Sequence, residues 1–147
     1  MRRAALRIAL AVVLVLTGLS AMWGGSMLMQ GTWEMDPAWL ERTPFTSWTL
    51  PGLATLILPG IGVLIAGVWV AFRLPHHRAM ASVAGIGLMV WVGVELAWLQ
   101  VLHPVMHPLI FAIGLLALTV SRFLPRPQDR RHETASRTGP VGGGVFR

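Results

Sequence analysis

Between Arg7 and Glu34, between Arg42 and Arg73, and between Arg78 and Arg122, the chain carries a single formal charge, Glu95. Uncharged apolar runs of this length have few folding options. A span needs about 20 apolar residues at ~1.5 Å rise each to cover roughly 30 Å of hydrocarbon. Four segments meet that length: about 8–29, 50–72, 79–102 and 104–124. Lipid supplies no hydrogen bonds, and the alternating pattern of barrel strands is absent, so each span is expected to be helical. Composition agrees: 12% of residues are charged and 54% hydrophobic, against roughly 25% charged in soluble domains.

The connecting charges set the expected orientation. Arg2, Arg3 and Arg7 precede the first span, while Glu34, Asp36, Glu41 and Arg42 follow it. Arg73 and Arg78 lie in the next turn with His76 and His77, the third loop has no formal charge, and the tail is Arg-rich. Basic blocks alternate with acidic or neutral ones, so the positive-inside rule places both termini in the cytoplasm. Trp23, Trp33, Trp39, Trp48 and Trp98 then fall at the outer interface as an aromatic belt. The expected fold is an all-α membrane protein of four antiparallel transmembrane helices over 1–124. Residues 125–147 read as a disordered Arg/Gly/Pro-rich cytoplasmic tail. The net charge of +6 flanks apolar spans, which fits a membrane surface and not nucleic acid. An all-Arg basic complement without Lys hints at a GC-rich bacterial genome and a bacterial inner (plasma) membrane.

Several details qualify this layout. The first segment also has the form of a signal peptide, with small residues at Gly18 and Ser20; its apolar run continues to Met29, which favours an uncleaved span. In the outer loop, 30–49, Asp36-Pro37 is an N-cap and N1 pair that could open a short interfacial helix, or the loop is irregular and held by its Trp anchors. Trp33, Asp36, Trp39 and Arg42 are its candidate interaction residues. Pro59 should bend the second span and serves packing. Gly62/Ala66, Gly67/Ala71, Ala81/Gly85 and Gly93/Ala97 are small-xxx-small pairs that let helices approach closely. Gly93, Ala97 and Gln100 share one expected tight face of the third helix, opposite Glu95.

Absent residues exclude several chemistries. Without cysteine there is no disulfide, thiolate metal site or Cys nucleophile. There is no HExxH, G-x-S-x-G or phosphate-loop motif, and "GPVGGGVFR" lacks the strand and helix a phosphate loop needs. What remains is "WVGVELAWLQVLHPVMHPL". Glu95 is an intramembrane carboxylate flanked by Trp91 and Trp98, and such groups are costly enough to demand a partner or a function. Its functional readings are a proton relay, a cation site or a ligand anchor. Its structural readings are a hydrogen bond to backbone freed near Pro59, or a contact with Arg42 reaching down. His103 and His107 are spaced i, i+4, which suits metal or haem ligation on one continuous helix. Pro104 and Pro108 break that premise, with Pro108 expected to remove a helix donor, and a polar outer turn is the competing reading. His76 and His77 are expected to be solvated or to touch lipid headgroups.

The Trp-rich acidic outer loop, the "TPFTSWTLPGL" that opens the second span and the "WVGVE" of the third resemble the uncharacterised small four-span bacterial inner-membrane protein family. By layout the chain is also similar to the DoxX-like four-helix proteins. The resemblance covers about 21–124 and includes no catalytic motif. It implies a four-helix membrane fold and transfers no functional residue. Two functions stay open. One is a non-enzymatic accessory or homo-oligomeric membrane component, with the bilayer and a membrane protein or second copy as partners and no cofactor. The other is a small redox (haem or quinone) or proton-coupled transport protein using Glu95, His103 and His107 near the outer face.

Overall fold

The computed structural model describes residues 2–33, 35–100 and 102–124. Four helices are long and apolar enough to cross a membrane, and no strand occurs among the described residues. They are α1 (Arg2–Met29), α2 (Thr49–Ala71), α3 (His77–Leu99) and α4 (Met106–Phe123). The tail expected at 125–147 lies outside the described residues. The outward faces are apolar, with Phe72 74% and Val83 65% exposed, as a lipid-facing helix bundle requires.

The helices form two pairs, α1 with α2 and α3 with α4. Between pairs, α2 meets α3 and, more thinly, α1 meets α4, which closes a ring. The buried core sits toward the Arg-bearing ends: Leu10 and Leu14 of α1, Val63 and Val70 of α2, Ala81 and Leu88 of α3, and Ala117 of α4. Ser82 and Ser121 share a 2.8 Å hydroxyl contact in the α3–α4 seam. The carbonyls of Arg78 and Leu118 also lie within reach, so one hydroxyl donates across the seam and the other to a carbonyl of its own helix, and neither hydroxyl is stranded.

Glycine sets the spacing within each pair, by the same local arrangement. A Cβ on Gly25 would lie 2.5 Å from the Gly52 carbonyl oxygen, and one on Gly52 would lie 2.7 Å from that of Gly25. Gly85 and Gly114 show the same reciprocity at 2.5 and 2.7 Å. Even the surroundings correspond, with Leu28 and Met29 flanking Gly52 as Leu88 and Met89 flank Gly114. Direct backbone contact of this kind is the main source of helix association in lipid, where no hydrophobic gradient separates helix from solvent. Of the expected small-residue pairs, Gly85 and Gly67 are buried in such contacts, Gly67 against Val15. The expected tight face at Gly93 and Ala97 is corrected: both are exposed, and no atom lies within 4 Å of a Cβ built on Gly93.

Arginine seals one end of each pair in the same way. Arg7 of α1 donates to the carbonyls of Val70 and Ala71 at the end of α2. Arg78 of α3 donates at 3.0 Å to those of Ser121 and Arg122 at the end of α4. The last carbonyls of a helix lack intrahelical partners and carry its negative dipole end, so a guanidinium satisfies both needs.

Left-handed residues stop the first three helices. Gly31 (φ 66°), Arg73 (φ 54°) and Gln100 (φ 51°) follow α1, α2 and α3. The Thr32 and Leu74 amides reach back to the carbonyls of Met27 and Trp69, the six-to-one bond of a Schellman ending. The third span thus ends at Leu99 and not at Leu102, and Gln100 has no helical phase to share with Gly93. Pro59 produces a π-turn, Leu56–Gly62, in place of a simple bend. The wider turn accommodates the missing donor, and it brings the Gly60 carbonyl to 2.8 Å from a Cβ built on Gly18. The expectation for His77 is also corrected: it is 7% exposed, with Nδ1 3.1 Å from the Leu74 carbonyl, while His76 stays exposed at φ 62°.

Candidate functional site

The polar side chains singled out in the sequence gather where α3 ends and α4 begins. Glu95 lies one turn before the end of α3, roughly 6 Å along the axis from Leu99 at ~1.5 Å per residue. His107 is the second residue of α4. The α3–α4 connection turns the chain back so that His107 Nε2 stands 3.6 Å from Glu95 Oε2. The imidazole is 11% exposed and the carboxylate 25%, so the pair is sheltered but not sealed. Trp91, one turn earlier on α3, sets its indole beside the carboxylate. Glu95 is therefore partnered by His107, not by Arg42 and not by backbone near Pro59.

The two histidines have different tasks. His103 Nδ1 accepts from the Met106 amide at 3.1 Å and the Val105 amide at 3.3 Å. That ring acts as a side-chain cap on the unpaired donors opening α4. His107 Nδ1 in turn accepts from the His103 backbone N–H at 2.9 Å. An amide N–H can only donate, so Nδ1 of each ring must offer its lone pair. In a neutral ring the proton then sits on Nε2, and for His107 that proton is directed at Glu95. The connection thus fixes a tautomer: amide to Nδ1, then Nε2–H toward the carboxylate. A metal or haem iron on His107 Nε2 would need the proton moved to Nδ1, at the expense of the His103 amide bond.

Proline helps where it was expected to harm. Pro108 was expected to remove a helix donor, but α4 starts at Met106, which puts Pro108 in the first turn. Amides there have no intrahelical acceptor, so no bond is lost. Pro104 lies in the turn between the two rings and limits its flexibility.

The loop at 30–49 is fastened onto this end. Its Pro37–Leu40 segment is a 3-10 turn capped by Asp36, whose Oδ1 accepts from the Ala38 amide at 2.9 Å. Leu40 is buried, Trp39 half-buried, and Glu41 and Arg42 are exposed. Trp33 packs edge-on against Trp23 with ring centroids 5.8 Å apart. Arg42 donates to the Gln100 side-chain oxygen, and Phe45 stacks edge-on against Trp98 at 5.3 Å. These two contacts join the loop of the first helix pair to the end of α3, three to five residues from Glu95. Phe45 and the Arg42–Gln100 bond were not legible beforehand. A phenylalanine after Thr43-Pro44 signals a fixed aromatic, but nothing in the pattern says which helix it meets.

Among the described residues, no three His, Cys, Asp or Glu side chains converge as a metal-ligand group. The site is a carboxylate–imidazole pair with a capping histidine, the Trp91 indole and a docked loop. No protein family, curated protein or solved structure matches the chain.

Proposed function

We propose that the chain is an antiparallel four-span protein of a bacterial plasma membrane, both termini cytoplasmic, acting without catalysis as an accessory or self-associating component. The observation that carries the role is the unpartnered Gly93–Ala97 face of α3. Gly18, Gly25, Gly52, Gly67, Gly85 and Gly114 are consumed by contacts inside the chain, yet Gly93 and Ala97 stay open at the spacing by which helices associate in lipid. The orientation draws support from the arginines, since Arg7, Arg73, Arg78 and Arg122 lie at one end and Asp36, Glu41 and Glu95 at the other. Arg7 meeting Ala71, and Gly25 meeting Gly52, fit an antiparallel first pair.

The test is the mass of the full chain in mild detergent, with absorption spectrum and metal content recorded on the same sample. The expected result is a colourless oligomer or partner complex that Gly93→Leu reduces to monomer without loss of helicity. A wild-type monomer without partner would sink the role.

The Glu95–His107 contact favours one second reading, a proton-coupled function at the outer face. Proton-dependent flux in liposomes that Glu95→Gln abolishes would establish it in place of the first. A haem centre is harder to reconcile with two rings whose Nδ1 atoms already accept amide protons, and a Soret band lost in His107→Ala would reverse that judgement.

A further inference from the structure

The Arg-bearing end of the first helix pair combines two features that packing does not fully account for. The first is an open groove of about 250 Å³ along α1, lined by Ile8, Ala11, Val12, Val15, Leu16 and Ala71. Its lining is aliphatic throughout. The second is a pair of like charges at the groove's end. Arg7 precedes Ile8 and reaches the Val70 and Ala71 carbonyls, which brings its guanidinium to within two residues of Arg73 along the chain. The two cations repel one another, and one Arg7 nitrogen, Nε, is buried without a partner. Arg3, one turn before Arg7, is exposed. Among the described residues no carboxylate lies at this end to offset them.

Folding alone does not account for this charge. Capping α2 needs one guanidinium, and Arg7 supplies it. Arg73 sits in a left-handed conformation that most side chains avoid, so its position is held by the turn and its charge is left outward. An open aliphatic groove ending beside two arginines is complementary to one class of molecule. We propose that this groove is a binding site for an anionic phospholipid, with an acyl chain along α1 and the phosphate between Arg7 and Arg73. Basic pockets between helices that hold anionic headgroups have this form. The site depends only on the helices lying in a bilayer and not on the accessory role.

The test is thermal unfolding of the full chain in mild detergent, titrated with phosphatidylglycerol, with phosphatidylcholine of the same acyl chains, or with inorganic phosphate alone. Phosphatidylglycerol is expected to raise the melting temperature at about tenfold lower lipid than phosphatidylcholine, as one to two unscreened arginine contacts imply. The preference should fade with added salt. Arg73→Gln removes the exposed charge, and Val12→Trp fills the groove from a half-exposed position; neither touches the core. Each is expected to abolish the preference with the lipid-free melting temperature unchanged. Three results would overturn the proposal. They are equal stabilisation by the two lipids, a phosphate effect as large as that of phosphatidylglycerol, or a preference that survives both substitutions. A Val12→Trp protein that changes oligomer mass but keeps the lipid preference would mark the groove as a protein contact, and overturns it too.

Discussion

Gly85→Val is expected to cost about 3 kcal/mol or more in unfolding free energy, at the upper end of overpacking effects. The reason is geometric. The first added carbon would lie 2.5 Å from the Gly114 carbonyl oxygen and 2.9 Å from the Leu118 nitrogen. Both obstacles are backbone, which cannot rotate aside as a side chain can, so α3 and α4 must separate along their length. Separation would also pull the Ser82–Ser121 contact apart and draw Arg78 off the end of α4. Gly87→Val is the control. It adds the same bulk two residues away, where nothing lies within 4 Å, and is expected to change stability by no more than about 0.5 kcal/mol. Reversible unfolding in mixed micelles, followed by circular dichroism, measures both. Equal effects would show that the Gly85–Gly114 crossing does not set the helix spacing.

The second large effect belongs to the Glu95–His107 pair. Removing His107 leaves a sheltered carboxylate without its partner, and the loss of a partner to a charged group costs about 1.5–3 kcal/mol. His107→Ala is therefore expected to destabilise by about 2 kcal/mol, and Glu95→Gln by less, since an amide can still accept from Nε2–H. The double mutant should recover about 1 kcal/mol relative to the sum, the coupling typical of groups in contact. The tautomer gives an independent check. Nitrogen-15 NMR of the imidazoles should show His107 with its proton on Nε2 and Nδ1 unprotonated. A proton on Nδ1, or strictly additive mutants, would mean that the pair does not interact as described.

Much of this architecture is legible from charge spacing alone. Four apolar runs bounded by arginines and acids fix the number of spans, because lipid leaves the backbone no alternative to helix. The end of the third span was placed three residues too far, since Gln100 stops that helix in a conformation that sequence patterns assign to glycine. Glu95 could be recognised as a site because a carboxylate is conspicuous among aliphatic residues. Its partner was legible only as one of two histidines grouped with it in the second functional reading. His107 was discounted because two prolines seemed to scatter the rings, and they do separate the roles of His103 and His107. Yet the same turn, by capping α4 with one ring, aims the other at Glu95. Glycine contacts were half legible: small-xxx-small spacing marks where helices can touch, and Gly85 does, but Gly93 has identical spacing and faces outward. Which face of a helix is buried depends on the whole bundle and not on the local pair.

The proposed topology, with both termini cytoplasmic, would put Glu95 and His107 at the outer face, where the proton-coupled reading needs them. The cysteine-free chain allows a direct measurement, with single cysteines introduced at Thr46 in the outer loop and at His76 in the inner turn, both exposed positions. Intact cells are treated with a membrane-impermeant maleimide before and after permeabilisation. With both termini cytoplasmic, Thr46→Cys is labelled in intact cells and His76→Cys only after permeabilisation. Labelling of His76→Cys in intact cells, with Thr46→Cys protected, would place the carboxylate–imidazole pair at the cytoplasmic face and contradict the proposed topology.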